Sequence, residues 1–118
     1  MKKSMDSKQE DIETKFINQI TSIFPNQIAK VILFGSRAKG ISKPGSDYDF
    51  LIVLKDKDRK ITDEIYDVVT DFLTEYGVDI SLKVYNEKIF QQLSSIPTPF
   101  MASVLKTGKE LWSQKSRI

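Results

Sequence analysis

Apolar residues recur along this chain in two rhythms, one at intervals of three and four and one at intervals of two. Ile12, Phe16, Ile20 and Ile23 keep the helical interval, with Ser7 and Glu10 spaced ahead of them as a capping box and Pro25 closing the segment. Lys30 to Phe34 (KVILF) is a short apolar run ending in Gly35, the pattern of a buried strand. Residues 37 to 46 form a polar connection in which Pro44-Gly45 is a turn pair. Asp47 to Leu54 (DYDFLIVL) reads as a second strand, and Lys55 to Lys60 as a charged loop.

Thr62 is placed to cap a second helix, whose stripe is Ile65, Val68, Val69, Phe72, Leu73 and Tyr76 and whose end is Gly77. Val78 to Tyr85 alternates: Val78, Ile80, Leu82 and Val84 face one way, and Asp79, Ser81, Lys83 and Tyr85 the other. Asn86 is placed to cap a helix carrying Ile89, Phe90 and Leu93. After Pro97 and Pro99, a last helical piece runs from Phe100 to Thr107 and ends at Gly108, with Leu111-Trp112 packing back on the core. The order α, β, β, α, β, α, α predicts an α/β (α+β) protein, a small mixed β-sheet with helices packed on it. Residues 1–118 fit a single domain.

Composition narrows the chemistry by removing ligands. The chain has no cysteine and no histidine, which excludes disulfides, zinc sites built on those side chains and a histidine base. Carboxylates remain, and their hard oxygens suit magnesium, manganese or calcium. With 18 basic and 16 acidic residues the net charge is +2, so there is no strong nucleic-acid signal. No apolar run is long enough for a bilayer, and Met1-Lys2-Lys3 is not followed by the apolar stretch of a signal peptide, so no membrane association and a cytoplasmic location are expected.

Three features carry candidate chemistry. At KVILFGSRAKG a strand runs into Gly35 and Ser36 and then into a helical turn, with Arg37 and Lys39 following. Glycine admits close approach, and the start of a helical turn offers N–H groups to an anion. This is either a phosphate cradle or an ordinary strand-to-helix turn; the second glycine and the Lys-Ser/Thr pair of a Walker A loop are missing. Asp47 and Asp49 stand two apart, so both carboxylates leave one face of a strand, where their repulsion favours a bound cation. The alternative is a pair at an exposed strand start. Asp79 is either a third member or simply solvent-facing. Asp56 and Asp58 repeat the same spacing among lysines and arginine and read as a solvated loop.

Taken together, Gly35-Ser36, ten intervening residues, Asp47-x-Asp49 and a later strand aspartate resemble the signature of the DNA polymerase β-like nucleotidyltransferase superfamily. More closely, the chain resembles the minimal nucleotidyltransferases (MNT), many of them antitoxins paired with a HEPN-domain toxin. The resemblance runs from GSRAKG through SDYDFLIV and VDISLKVY to LKTGKELW, weakest at the end. Lys39 departs from the arginine of many relatives, keeping the charge but not the planar fork.

The resemblance implies a palm-like nucleotidyltransferase fold and a two-ion magnesium site, with manganese as an alternative, held by Asp47, Asp49 and Asp79. Asp79 would also help deprotonate the acceptor hydroxyl. Gly35 and Ser36, with Arg37 or Lys39, would hold the β and γ phosphates of a nucleoside triphosphate, ATP by expectation. The implied reaction moves AMP to a hydroxyl, a tyrosine of the HEPN partner. The alternative is a non-catalytic antitoxin that masks its partner by occlusion. Its interface would draw on Ile96, Phe100, Met101, Val104, Leu105 and Trp112, residues that a small domain otherwise needs for its core. Transfer to a small molecule such as an aminoglycoside fits less well without an acceptor domain. A polynucleotide polymerase fits less well at near-neutral charge. Nucleotide preference, acceptor and homo-oligomer formation stay open at this point.

Overall fold

The computed structural model describes residues 11–43 and 45–114. Along the chain come α1 (Ile12–Ile23), β1 (Ile28–Phe34), α2 (Ser36–Lys39), β2 (Tyr48–Leu54), α3 (Arg59–Tyr76), β3 (Ile80–Asn86), α4 (Glu87–Ser95), α5 (Pro99–Thr107) and β4 (Lys109–Ser113). Among the described residues the strands form one mixed sheet in the order β3-β2-β1-β4. β1 is antiparallel to both β2 and β4, while β2 and β3 are parallel and joined through α3. A parallel pair needs such a crossover, which is why the long amphipathic helix falls between those two strands.

The sheet is covered on both faces. On one, Phe16, Ile17 and Ile20 of α1 and Ile65, Val68 and Phe72 of α3 pack on Val31, Leu33, Phe50 and Ile52. Phe16 stacks on Phe50 at 4.9 Å between centroids and meets Phe72 edge-on at 5.6 Å. On the other, Phe90, Met101 and Val104 of α4 and α5 pack on Ala29, Ile32, Leu51 and Val53. Burial on both sides explains why β2 reads as an unbroken apolar run. β3 is an edge strand whose second face is open over part of its length, so it alternates: Ile80 is buried while Ser81 and Lys83 are exposed.

Several local expectations shift. The Ser7–Glu10 capping box lies outside the described residues; within them, Asp11 accepts a hydrogen bond from the Thr14 N–H at 2.9 Å. Ile23 is exposed and Ile17 takes its place in the core. Helix α3 starts before Thr62: Asp58 accepts from the Lys60 N–H at 2.7 Å, and the Thr62 hydroxyl donates back to the Asp58 carbonyl at 3.0 Å. Leu73 and Tyr76 continue the helical stripe but are exposed, with Lys15 of α1 reaching over the Tyr76 ring at 4.7 Å. Asn86 does cap α4, accepting from the Ile89 N–H at 2.7 Å. Pro44 of the expected turn lies outside the described residues, and Gly45 has φ 86°.

The largest difference is β4. Trp112 packs on the core as expected, but the segment around it is a strand, pairing Val31 with Trp112 and Leu33 with Lys109. Its short Lys-Glu sequence is typical of a protected edge, with Lys30 and Glu110 in an ion pair at 3.3 Å. Of the C-terminal apolar residues expected in the core, Met101 and Val104 are buried, while Ile96, Phe100 and Leu105 are exposed.

Candidate active site

Gly35 sits where β1 stops, with φ 77° and ψ −158°, a conformation essentially confined to glycine. The antiparallel register pairs Phe34 with Asp49, which brings the Asp49 side chain against that glycine. A Cβ on Gly35 would collide with Asp49 Oδ2 and lie 3.2 Å from its Cγ. The glycine is therefore required twice, for its backbone angles and for the space the carboxylate occupies. Ser36 opens the four-residue helix α2, which closes at Gly40, and the Ile41 N–H returns to the Ser36 carbonyl at 3.1 Å.

Asp47 immediately precedes β2 and Asp49 is its second residue, so both point to the same side. Partial burial pushes the Asp49 carboxyl above its ordinary value, and the negative charge of Asp47 pushes it further the same way. Asp49 is thus held beside a like charge that disfavours its ionisation. Asp79 lies just before β3, exposed, and its carbonyl accepts from the Tyr48 N–H at 3.0 Å, extending the parallel ladder by one step. The pairs Tyr48–Ile80 and Asp49–Ser81 then put Asp47, Asp49, Asp79 and Ser81 on one face. Among the described residues, however, no three carboxylates are gathered closely enough to make a ready metal nest.

Arg37 has a different position from the one expected beside phosphates. Its Nε and Nη2 donate to the Ser46 carbonyl at 3.2 and 2.9 Å, and its guanidinium carbon stands 3.8 Å over the Tyr48 ring. Tyr48 lies between the two aspartates, so its side chain leaves the opposite face of the strand, where it packs on the α1–α3 core and stacks with Phe50. Burial raises the Tyr48 pKa, Arg37 lowers it, and Glu13 and Asp11 add smaller upward pushes. Arg37 pins the loop that delivers Asp47; Ser46 helps from the other end, its hydroxyl accepting from the Lys43 N–H at 3.0 Å. Lys39 is exposed.

A groove of about 900 Å³ lies between α4, α5 and strands β1 and β4, and none of these candidate residues lines it. Asp47 and Asp79 are exposed, and Asp49 is half-buried against Gly35.

The match to known proteins decides what this arrangement belongs to. Residues 18–117 match the family model described as "Polymerase beta, Nucleotidyltransferase". The chain belongs to the polymerase β nucleotidyltransferase family. It is 38% identical over 98 residues, 83% of this chain and 92% of the relative, to a Methanocaldococcus jannaschii protein named "Putative protein adenylyltransferase". Its fold is similar to that of a toxin–antitoxin crystallised with AMP-PNP, at TM-score 0.59 and 19% identity over 87% of this chain and 75% of that one. It is similar in the same degree to a mutant MntA–HpeT toxin–antitoxin structure, at TM-score 0.59 and 21% identity over 92% and 77%.

The nucleotidyltransferase therefore has the mixed-sheet fold and the enzyme class that its Gly-Ser and Asp-x-Asp segments imply. No helix among its described residues is long and apolar enough to cross a membrane. The donor set of the nucleotidyltransferase fits magnesium: hard oxygens, two like-charged carboxylates on one face, and open surface beside them. Magnesium is commonly held by one or two carboxylates, with substrate phosphates and water completing its shell. That arrangement does not require a preformed nest of three carboxylates.

Proposed function

We propose that the nucleotidyltransferase transfers AMP from ATP, in the presence of magnesium, to a protein hydroxyl, the acceptor being a tyrosine of a HEPN-domain partner. The observation that carries this reading is the Asp49 carboxylate lodged against Gly35, which joins the two halves of the motif into one place. The relative named as a protein adenylyltransferase and the fold shared with toxin–antitoxin structures support the choice of acceptor class.

The roles follow from position. Asp47 and Asp49 would hold the two magnesium ions with Asp79, with manganese able to replace them. When bound, the ions supply charge stabilisation to the attacking and leaving oxygens. Ser36 and the main chain at Gly35 would hold β and γ phosphate oxygens, with Lys39 adding charge. The acceptor oxygen attacks the α phosphorus, the bond from that phosphorus to the bridging oxygen breaks, and pyrophosphate leaves with the electron pair. Asp79, exposed at the start of β3, would take the hydroxyl proton. An open site suits an acceptor delivered on another protein, since a macromolecular hydroxyl has to reach the α phosphorus.

The test is metal-dependent transfer of label from α-labelled ATP to a co-expressed HEPN partner, mapped by mass spectrometry. A mass increase of one adenylyl group on a tyrosine, lost with Asp47→Ala and Asp49→Ala, is the expected result. An unlabelled partner across all nucleotides and both metals would remove the proposal.

A second reading has an observation in its favour. Ile96 is 83% exposed, and Phe100 and Leu105 are exposed near it in the chain. Such side chains could dock on a partner and mask it without chemistry. The double Asp→Ala variant separates the two: protection of cells that survives the substitutions supports occlusion, and protection that disappears supports transfer.

A further inference from the structure

A triphosphate held beside Asp47 and Asp49 needs positive charge, and Arg37 is turned to the other face of β2, engaged by the Ser46 carbonyl and the Tyr48 ring. We infer that Lys83 belongs to the same site, its ammonium contacting a phosphate oxygen of the nucleoside triphosphate; this rests on the nucleotidyltransferase reading above.

Register supplies the first argument. Ser81 pairs with Asp49 and Lys83 with Leu51, so Lys83 stands on the aspartate face two residues along an adjacent parallel strand. Two residues span roughly 7 Å along a strand, and neighbouring strands lie about 5 Å apart. An extended lysine covers most of that distance and a phosphate group the rest.

Surroundings supply the second. Lys83 is exposed and is in no ion pair with a carboxylate among the described residues. Its Nζ stands 5.8 Å from the centroid of the Phe100 ring, and Phe100 meets Phe34 edge-on at 5.3 Å. Phe34 is both the residue before Gly35 and the partner of Asp49. Two rings therefore lead from the residue before the glycine turn to the lysine ammonium. Its charge is available to a ligand. The phosphate, unlike the base or the sugar, is the part of the nucleotide that an ammonium recognises.

The experiment is calorimetric titration of the full chain with ATP and with adenosine, in magnesium, for wild type, Lys83→Met and Lys83→Arg, with thermal melts of each. A charge-assisted hydrogen bond lost from a phosphate corresponds to about tenfold weaker ATP binding. The expected result is that loss in Lys83→Met, with adenosine binding and melting temperature unchanged and most ATP affinity kept in Lys83→Arg. Equal ATP binding by wild type and Lys83→Met would overturn the inference and leave the site reading intact. Parallel weakening of ATP and adenosine would overturn it too, since the lysine would then only shape the surface. Absence of ATP binding by wild type would overturn both.

Discussion

Two Asp-x-Asp pairs of identical spacing lie on either end of strand β2, and they do unrelated things. Asp47 and Asp49 enter the strand beside Gly35, and burial together with the charge of Asp47 raises the Asp49 carboxyl. Asp56 and Asp58 follow the strand, and Asp58 gives its carboxylate to the first turn of α3. Spacing is the same in both. What differs is the partner each carboxylate finds: the Lys60 backbone N–H at Asp58, and another negative charge and a bare glycine at Asp49. A carboxylate that stabilises its own fold is structural; one that the fold holds at a cost points to a ligand.

The sharpest break in the comparison is catalytic. Asp49→Asn should reduce adenylyl transfer about 100-fold or more, the scale of several kcal/mol of charge stabilisation, while Asp56→Asn should stay within about twofold. Initial rates on the same partner protein measure both. Gly35→Ala should come next, costing about 1–3 kcal/mol from its backbone angles alone and also displacing the Asp49 carboxylate. It should lower both the denaturation midpoint and transfer. Gly77→Ala, in open space at the end of α3, should lower only the midpoint.

Asp58→Ala should then cost about 1 kcal/mol of stability by urea titration with transfer unchanged, the converse of Asp49→Asn. Arg37→Met should resemble it: the loop loses two hydrogen bonds and a ring contact, so the melting temperature falls while ATP affinity holds within about twofold. If ATP affinity collapses instead, the guanidinium reaches the nucleotide from the far face.

The smallest effect concerns pH. Asp49 titrates above its ordinary 3.8 in the folded chain, so folding favours its protonated form. Its ionisation cost is absent below that value and fully present above the raised one. Asp49→Asn should therefore melt slightly higher than wild type at neutral pH, with the gap closing in acid. A melting series from acid to neutral pH reads the difference directly.

Much of this fold was legible in the chain because its signals are local. A strand ending at glycine, an Asn cap at residue 86 and a 3.6-residue stripe on α3 each depend on neighbours in sequence. The site was legible only as a set of residues. That Asp49 meets Gly35, and that Lys83 shares their face, depends on register between strands, which no single segment encodes. The direction of Arg37 was illegible for a related reason: off a four-residue helix it is set by where the loop to Ser46 closes. The start of α3 moved to Asp58 because two caps, Asp58 and Thr62, compete within one turn, and the hydroxyl of Thr62 bonds back to the winner. β4 was hidden because five residues with two charges carry little strand signal until β1 is beside them.

That late partner has a consequence for how the chain is born. β1, which carries the glycine turn, leaves the ribosome before Lys109–Ser113, the last strand among the described residues to appear and the one that bonds to one of its two edges. Pairings so distant in sequence form slowly, because the loop between them has to close first. During synthesis β1 therefore presents a bare apolar edge for as long as it takes the ribosome to deliver β4. A cell making this protein is exposed in that interval to aggregation at β1, the strand that leads to its glycine turn, until that strand is secured on both sides.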